Sequence, residues 1–283
     1  MAPVQAWSWI QHHRWLSVAF IVIVVIGPAG GTAWAVFLRT VASPVSLRAA
    51  LRLYHHDEAA ADATGPSASD AAAGSTSASG SHRVLSPGVY PYRTTGGESL
   101  SILGESRSFP VHTDIVVSDG PGACTTVSWV PIVQHTETTT ACPAASHAVA
   151  VSDFVTHEVI SGTITTTVID CPSTMYLVPP LAQPGARWSA ICHQVSPAEN
   201  VVVDGTVVDA PSLEVGGRMV PTLHVRLTLD FVGIASGTSP TDYWISTAKG
   251  LIVRQQETTH ITQQGVRYTE EMAADLLSLT PAG

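Results

Sequence analysis

The feature that most constrains this chain is an alternation that runs without error through Thr222–Phe231. There Leu223, Val225, Leu227, Leu229 and Phe231 interleave with Thr222, His224, Arg226, Thr228 and Asp230. A period of two places one set on an apolar face and the other in water, which defines a half-buried strand. Turn signals recur around it at Gly96-Gly97, Asp204-Gly205, Gly216-Gly217 and Gly265, and at Ala248-Lys249-Gly250 within "DYWISTAKGLIVRQQ" (Asp242–Gln256). Connections this short join antiparallel neighbours, because a parallel crossover needs a dozen or more residues. A meander of nine or more strands must curl, split into two layers or close. The predicted fold class is therefore mainly β: a single N-terminal transmembrane helix, then one antiparallel, strongly curved sheet, half-barrel or sandwich-like, with at most one or two short helices. Helical spacing appears only in Thr269–Leu279, which reads equally well as the frayed end of the last strand plus a tail.

The chain divides into parts of different composition. Residues 15–38 carry no charge across 24 positions, enough for a helix of roughly 36 Å that crosses a bilayer. The same residues also fit a cleaved signal peptide, with Ala33–Ala35 as a small-residue cleavage site. Arg14 precedes the span, whereas Arg39, Arg48 and Arg52 follow it; large C-terminal domains nonetheless translocate largely regardless of flanking charge. Residues 1–14 are thus expected to be a short cytoplasmic N-terminus, 15–38 a transmembrane helix or signal peptide, 39–83 a juxtamembrane segment and linker, and 84–283 an extracytoplasmic β domain. Within the linker, Asp57–His82 lacks Leu, Ile, Val and aromatic residues and reads as a flexible tether. The expected location is the cell membrane, single-pass, with secretion after cleavage near Ala35 as the alternative.

Residues 84–283 hold eight basic and eighteen acidic residues. Such a domain would repel nucleic acid and anionic headgroups. It also holds all four cysteines, which allow three pairings. Cys171 and Cys192 lie about equally far from the turn Pro179–Gly185, so a hairpin there would pair them and leave Cys124 with Cys142. Each bridge would contribute on the order of 3 kcal/mol; buried free thiols are the alternative. No Cys-x-x-Cys or Cys-x-x-His spacing occurs, so neither a metal nor a cofactor is expected.

The run Gly216–Thr259, "GGRMVPTLHVRLTLDFVGIASGTSPTDYWISTAKGLIVRQQETT", resembles the C-terminal half of exported bacterial envelope proteins with the lipoprotein-carrier half-barrel (LolA/LolB-like) architecture. There a long amphipathic strand precedes an aromatic "W-[IL]-S/D" strand, a turn and "GL-x-V/I-R". "GVYPYRTTGGESLSI", Gly88–Ile102, is similar to the first strands of actinobacterial secreted domains of this kind. The resemblance implies a curved sheet whose concave face takes an acyl chain. This chain departs from the pattern in showing a helical anchor and little other helix.

Trp129, Trp188 and Trp244 would line an apolar ligand cavity or, on the plainer reading, pack in the core. Tyr243 and Trp244 must face opposite sides of their strand. Arg226 and Arg254, on polar phases, would ion-pair with Asp230 or Glu257 or grip an anionic headgroup. The histidines His112, His135, His147, His157, His193, His224 and His260 form no ligand-like pairs and read as solvated or singly hydrogen-bonded. No G-x-S-x-G elbow is present, and no enzyme is expected. The function expected is binding: a membrane-anchored envelope protein holding a lipid or other apolar ligand. The alternative is a packed β module that docks an envelope protein partner through an acidic face.

Overall fold

The computed structural model describes residues 42–63, 85–101, 104–160 and 163–282. The expected cytoplasmic N-terminus, the span 15–38 with its Ala33–Ala35 cleavage site, and linker residues 64–82 lie outside them. Among the described residues no helix is long and apolar enough to cross a membrane.

Among the described residues fifteen strands follow one α-helix, α1 (Leu47–Ala63). In chain order they are β1 (Gly88–Leu100), β2 (Glu105–Ser108), β3 (His112–Asp119), β4 (Thr125–Ile132), β5 (His135–Pro143), β6 (Val149–Ile160), β7 (Thr163–Asp170) and β8 (Tyr176–Val178). Then come β9 (Arg187–Gln194), β10 (Glu199–Asp209), β11 (Ser212–Val215), β12 (Arg218–Val232), β13 (Ala235–Ser246), β14 (Ile252–Gln263) and β15 (Val266–Leu276). Hydrogen-bonded neighbours run β10-β9-β7-β6-β5-β4-β3-β1-β15-β14-β13-β12, and β12 pairs back onto β10. The sheet is a closed antiparallel barrel of twelve strands, where a half-barrel or sandwich was expected. Closure removes the two edges an open sheet would leave as unpaired backbone donors and acceptors.

The alternation read in Thr222–Phe231 lies inside β12, with Leu223, Val225, Leu227 and Phe231 buried. Turns form at Gly216-Gly217, at Gln264-Gly265 and between Ser246 and Ile252, as the local signals predict. Two other glycine signals are not turns. Asp204-Gly205 sits inside β10, where Gly205 pairs with Trp188 and an added Cβ would come 2.0 Å from the indole. The glycine makes room for an aromatic ring across the ladder rather than reversing the chain. Gly96-Gly97 sits inside β1, where Gly96 has φ +117° and an added Cβ would meet the Glu271 carbonyl oxygen at 1.9 Å. Opposite this point the neighbouring strand is interrupted: β2 and β3 keep one register along β1 (Gly97↔Ser108, Arg93↔His112) but break at Phe109-Pro110-Val111. Proline cannot donate to the ladder, and Phe109 turns into the core beside Trp129. The helix-like stretch near the C-terminus is strand: in β15, Glu270, Met272, Ala274 and Leu276 are buried at every second position.

Helix α1 lies outside the ring. Ser46 caps it, accepting from the Ala49 N–H at 3.3 Å, and Ala50 packs on Val89 and Val116, which is why β1 and β3 are apolar on both faces there. Its C-terminal end takes in residues 57–63, the first part of the stretch read as a tether.

Both expected disulfides are present, Cys124–Cys142 and Cys171–Cys192. They belong to a protein that matures in an oxidising, extracytoplasmic compartment. The second spans the narrowest seam of the ring, where β7 and β9 pair only at Ile169↔Gln194 and Asp170↔His193. Replacing Cys171 and Cys192 together by Ala is expected to lower stability by on the order of 3 kcal/mol in urea unfolding. Gly205→Val is expected to cost about 1–3 kcal/mol by driving the Trp188 ring off its rotamer, read as a lower midpoint with unchanged slope.

Candidate functional site

Two places in the barrel gather chemistry: a polar patch inside the lumen and a belt on the outer wall. The inner patch follows from period two. Strand β1 turns Glu98 inward, β2 adds Glu105 and Arg107, β5 adds His135 and Glu137, β6 adds Glu158, β14 adds Glu257 and Thr259, and β15 adds Tyr268 and Glu270. Cross-strand pairing brings Glu98 opposite both Glu270 and Arg107, and His135 opposite Glu158.

The contacts then cross the lumen. His135 Nδ1 lies 2.9 Å from Glu98 Oε2, and its Nε2 lies 3.3 Å from Glu137 Oε1. Tyr268 donates its hydroxyl within 3.0 Å of Glu98 and 2.6 Å of Glu270. Arg107 Nε pairs with Glu98 at 2.9 Å, and its Nη1 donates to the Val159 carbonyl at 3.0 Å. On the other side Glu257 Oε1 accepts from Ser239 at 3.1 Å and Thr259 at 2.8 Å. Phe109 and Trp129 enclose His135 edge-on, at 5.8 and 5.7 Å between ring centres. His135 is 1% exposed, Glu270 2% and Glu98 4%.

Six carboxylates thus share an interior with one guanidinium and one imidazole, and their protons redistribute. Burial alone would lower the His135 pKa, but Glu270, Glu137 and Glu98 hold it well above the usual histidine value, as imidazolium. Burial pushes Glu98 up; His135, Arg107 and Tyr268 more than reverse this and leave it below the usual range. Burial, reinforced by the charges of Glu137 and Glu257, raises Glu270 well above it. Burial and the Glu137 charge raise Glu257 to about 7. Tyr268, pushed up by burial and three glutamates, keeps its proton and serves as donor.

The outer belt is a single row around the wall. Register sets Asp209, His224, Trp244, Arg254, Asp275 and Arg93 side by side across β10, β12, β13, β14, β15 and β1. His224 stacks on Trp244 with ring centres 4.2 Å apart and bonds Asp209 at 3.1 Å and Asp242 at 2.7 Å. Arg254 lies 5.7 Å over the same indole and bonds Asp275 at 2.6 Å. At the end of the row, a hollow of about 420 Å³ is lined by Arg93, Glu214, Arg254, Asp275 and Leu277.

The structure separates the residues predicted to share one ligand. Trp129 and Trp188 face the lumen on β4 and β9, and donate to Thr113 and to the Tyr176 carbonyl. Trp244, Arg226 and Arg254 lie on the outer wall. Arg226 pairs bidentately with Asp242, both bonds 2.9 Å, rather than with Asp230 or Glu257, and Arg254 pairs with Asp275. Tyr243 and Trp244 do face opposite ways. His135 and His224 depart from the reading of histidines as solvated or singly bonded: each sits between two carboxylates. The acidity assigned to the surface is partly internal, since Glu98, Glu105, Glu137, Glu158, Glu257 and Glu270 line or close the lumen. The sequence signal for this was His135-x-Glu137 and Tyr268-x-Glu270, polar pairs at strand spacing.

Fold and site together define a disulfide-stapled, closed antiparallel β-barrel with an ionised lumen. No protein-family model matches the chain, and no curated protein matches it. Among solved structures it is similar to the hypothetical lipoprotein YmcC from Escherichia coli (K12), at 9% identity over 67% of this chain and 87% of that one, with a TM-score of 0.30.

The lumen makes stability depend on pH with an unusual sign. Glu257 and Glu270 have raised pKa values in the fold, so their stabilisation is present below the usual carboxylate range and is lost as pH rises, through about 7 for Glu257. His135, also raised, adds a loss in the same direction at higher pH. Glu98 is lowered, so its contribution disappears only as pH falls below the usual carboxylate range. The free energy of unfolding from urea titrations in EDTA is expected to peak near pH 5 and to fall by pH 8 by on the order of 3 kcal/mol. Glu257→Gln should flatten the decline; midpoints that rise from pH 5 to 8 would contradict it.

Proposed function

We propose that this chain is an extracytoplasmic, non-catalytic interaction module of the cell envelope, held at the membrane by residues 15–38, which binds a protein partner on the outer wall of its barrel. The observation that carries this reading is the state of the lumen. Tyr90, Tyr92, Leu227 and His135 are fully buried, the Tyr92 hydroxyl donates to the Ile252 carbonyl, and His135 bonds Glu98 across the interior. A ring of twelve strands is wide enough to admit a ligand, but here side chains meet in the middle. The room a carrier would give to an acyl chain is taken up by two apolar clusters and a charged patch, a poor solvent for hydrocarbon.

The outer belt offers what a partner surface needs: a stacked Trp-His-Arg group with carboxylates on either side, beside a hollow holding both signs of charge. Aromatic and arginine side chains of this kind anchor protein interfaces. The mixed charge of the hollow suits a polar protein segment better than nucleic acid or an anionic headgroup.

Native mass spectrometry with lipid extraction on the full chain, purified from an oxidising compartment, tests the reading. A lipid-free mass four hydrogens below that of the reduced chain is expected. A lipid retained at one per chain would return the function to the carrier class, and Trp129 and Trp188 would then be the residues to mutate.

A further inference from the structure

We propose that Glu137, Glu257 and Glu270 form a binding site for a hard divalent cation, calcium by size, in the lumen of the barrel. Each carboxylate offers an oxygen, and these three oxygens lie within 4.8 Å of one another. Two ligands bound to one calcium at its usual 2.3–2.6 Å can be separated by at most about 5 Å, so one calcium can reach all three oxygens. Magnesium demands a strict octahedron and gives up its waters reluctantly, so it is seldom held by protein carboxylates alone.

Two further observations point to a ligand. Glu270 is 2% exposed, and its Oε1 is buried with no hydrogen-bond partner, while Oε2 is taken by Tyr268. A buried carboxylate oxygen without a donor costs the full desolvation of that atom unless something positive meets it. The interior cations pair elsewhere: Arg107 with Glu98 and Glu105, although its Nη2 is buried without a hydrogen-bond partner, and His135 with Glu98 and Glu137. Among the described residues no arginine or lysine pairs with Glu257 or Glu270.

A second grouping, Glu98 with His135 and Glu270, would suit a borderline metal such as zinc. It is the weaker choice, because both His135 nitrogens are already hydrogen-bonded to carboxylates and neither is left to ligate. That leaves an all-oxygen set, which selects calcium over softer metals. Ser239 and Thr259, bonded to Glu257, would orient it from behind. Access is from the side of Glu137, whose side chain is 26% exposed; the buried Glu270 closes the far end. The site stands apart from the outer belt, so it holds or fails independently of the partner-binding reading.

The test is calcium titration of the full, disulfide-intact chain, stripped with EDTA and studied at pH 8 in about 0.15 M NaCl by calorimetry and native mass spectrometry. One calcium per chain is expected, with a dissociation constant on the order of 10⁻⁴–10⁻³ M, the range of extracellular modules. Magnesium at equal ionic strength should bind more weakly. Glu270→Gln, which keeps the shape and removes the charge, should weaken binding by about tenfold or more, whereas Glu214→Gln on the outer wall should not. If Glu270→Gln fails to fold, Glu137→Gln at the exposed rim serves in its place. Wild-type protein that takes up no calcium at about 10 mM, or binding unchanged by both lumen variants, would overturn the proposal and leave the carboxylates sharing protons alone.

Discussion

The contact on which the rest of the structure depends is the ladder between β10 and β12, which runs from Asn200↔Val232 to Asp209↔His224. Every other pairing in the ring would survive in an open, curled sheet. This one removes the edges, and with them the water that would otherwise reach the concave face. Only after closure do Glu98, His135 and Glu270 become interior groups, and only then do their mutual distances decide their charges. The ladder is also where the excursion through β11 leaves and rejoins the wall, so the chain leaves the ring briefly and closes it on return.

An ionised lumen is an expensive way to fill a barrel. Apolar side chains of the same volume would avoid desolvating charge, and exchanging buried ion pairs for hydrophobic packing is often neutral or stabilising. Here the cost is limited by connection: Tyr268 ties Glu98 to Glu270, His135 ties Glu98 to Glu137, and Arg107 reaches the backbone of β6. A network of this kind fixes one arrangement of the strands, since a register slip on any of β1, β5 or β15 would turn its charged members outward.

Local physics made much of the wall legible. The alternation in β12 and the turns at Gly216-Gly217, Ala248-Lys249-Gly250 and Gly265 depend on neighbours within a few residues, and the fold kept them. Cysteine spacing gave both disulfides for the same reason. Gly205 and Gly96 misled because their purpose is set from elsewhere, by the Trp188 ring and by the Glu271 carbonyl. Closure left no local mark, since strands of an open and a closed sheet carry the same pattern. The lumen patch was the hardest to see. In "HTETTT" and "QETTH" both phases are polar, so hydropathy does not reveal which phase faces in, and a buried glutamate there looks like a wet one. The tryptophans showed the reverse problem: aromatic character marked them, but parity placed Trp244 on the opposite side of the wall from Trp129 and Trp188.

The pairing of β1 with β15 has a consequence in time. Ser99 and Thr269 touch across that ladder although 170 residues separate them in the chain. A polypeptide that emerges N-terminus first, from a ribosome or through a membrane pore, presents β1 long before its partner strand exists. Until β15 arrives, Glu98 has neither Tyr268 nor Glu270 beside it, and one flank of β1 stays open to any passing strand. The barrel therefore cannot ripen segment by segment; its first strand waits for β15, and whatever shelters the nascent chain must do so until that strand is out.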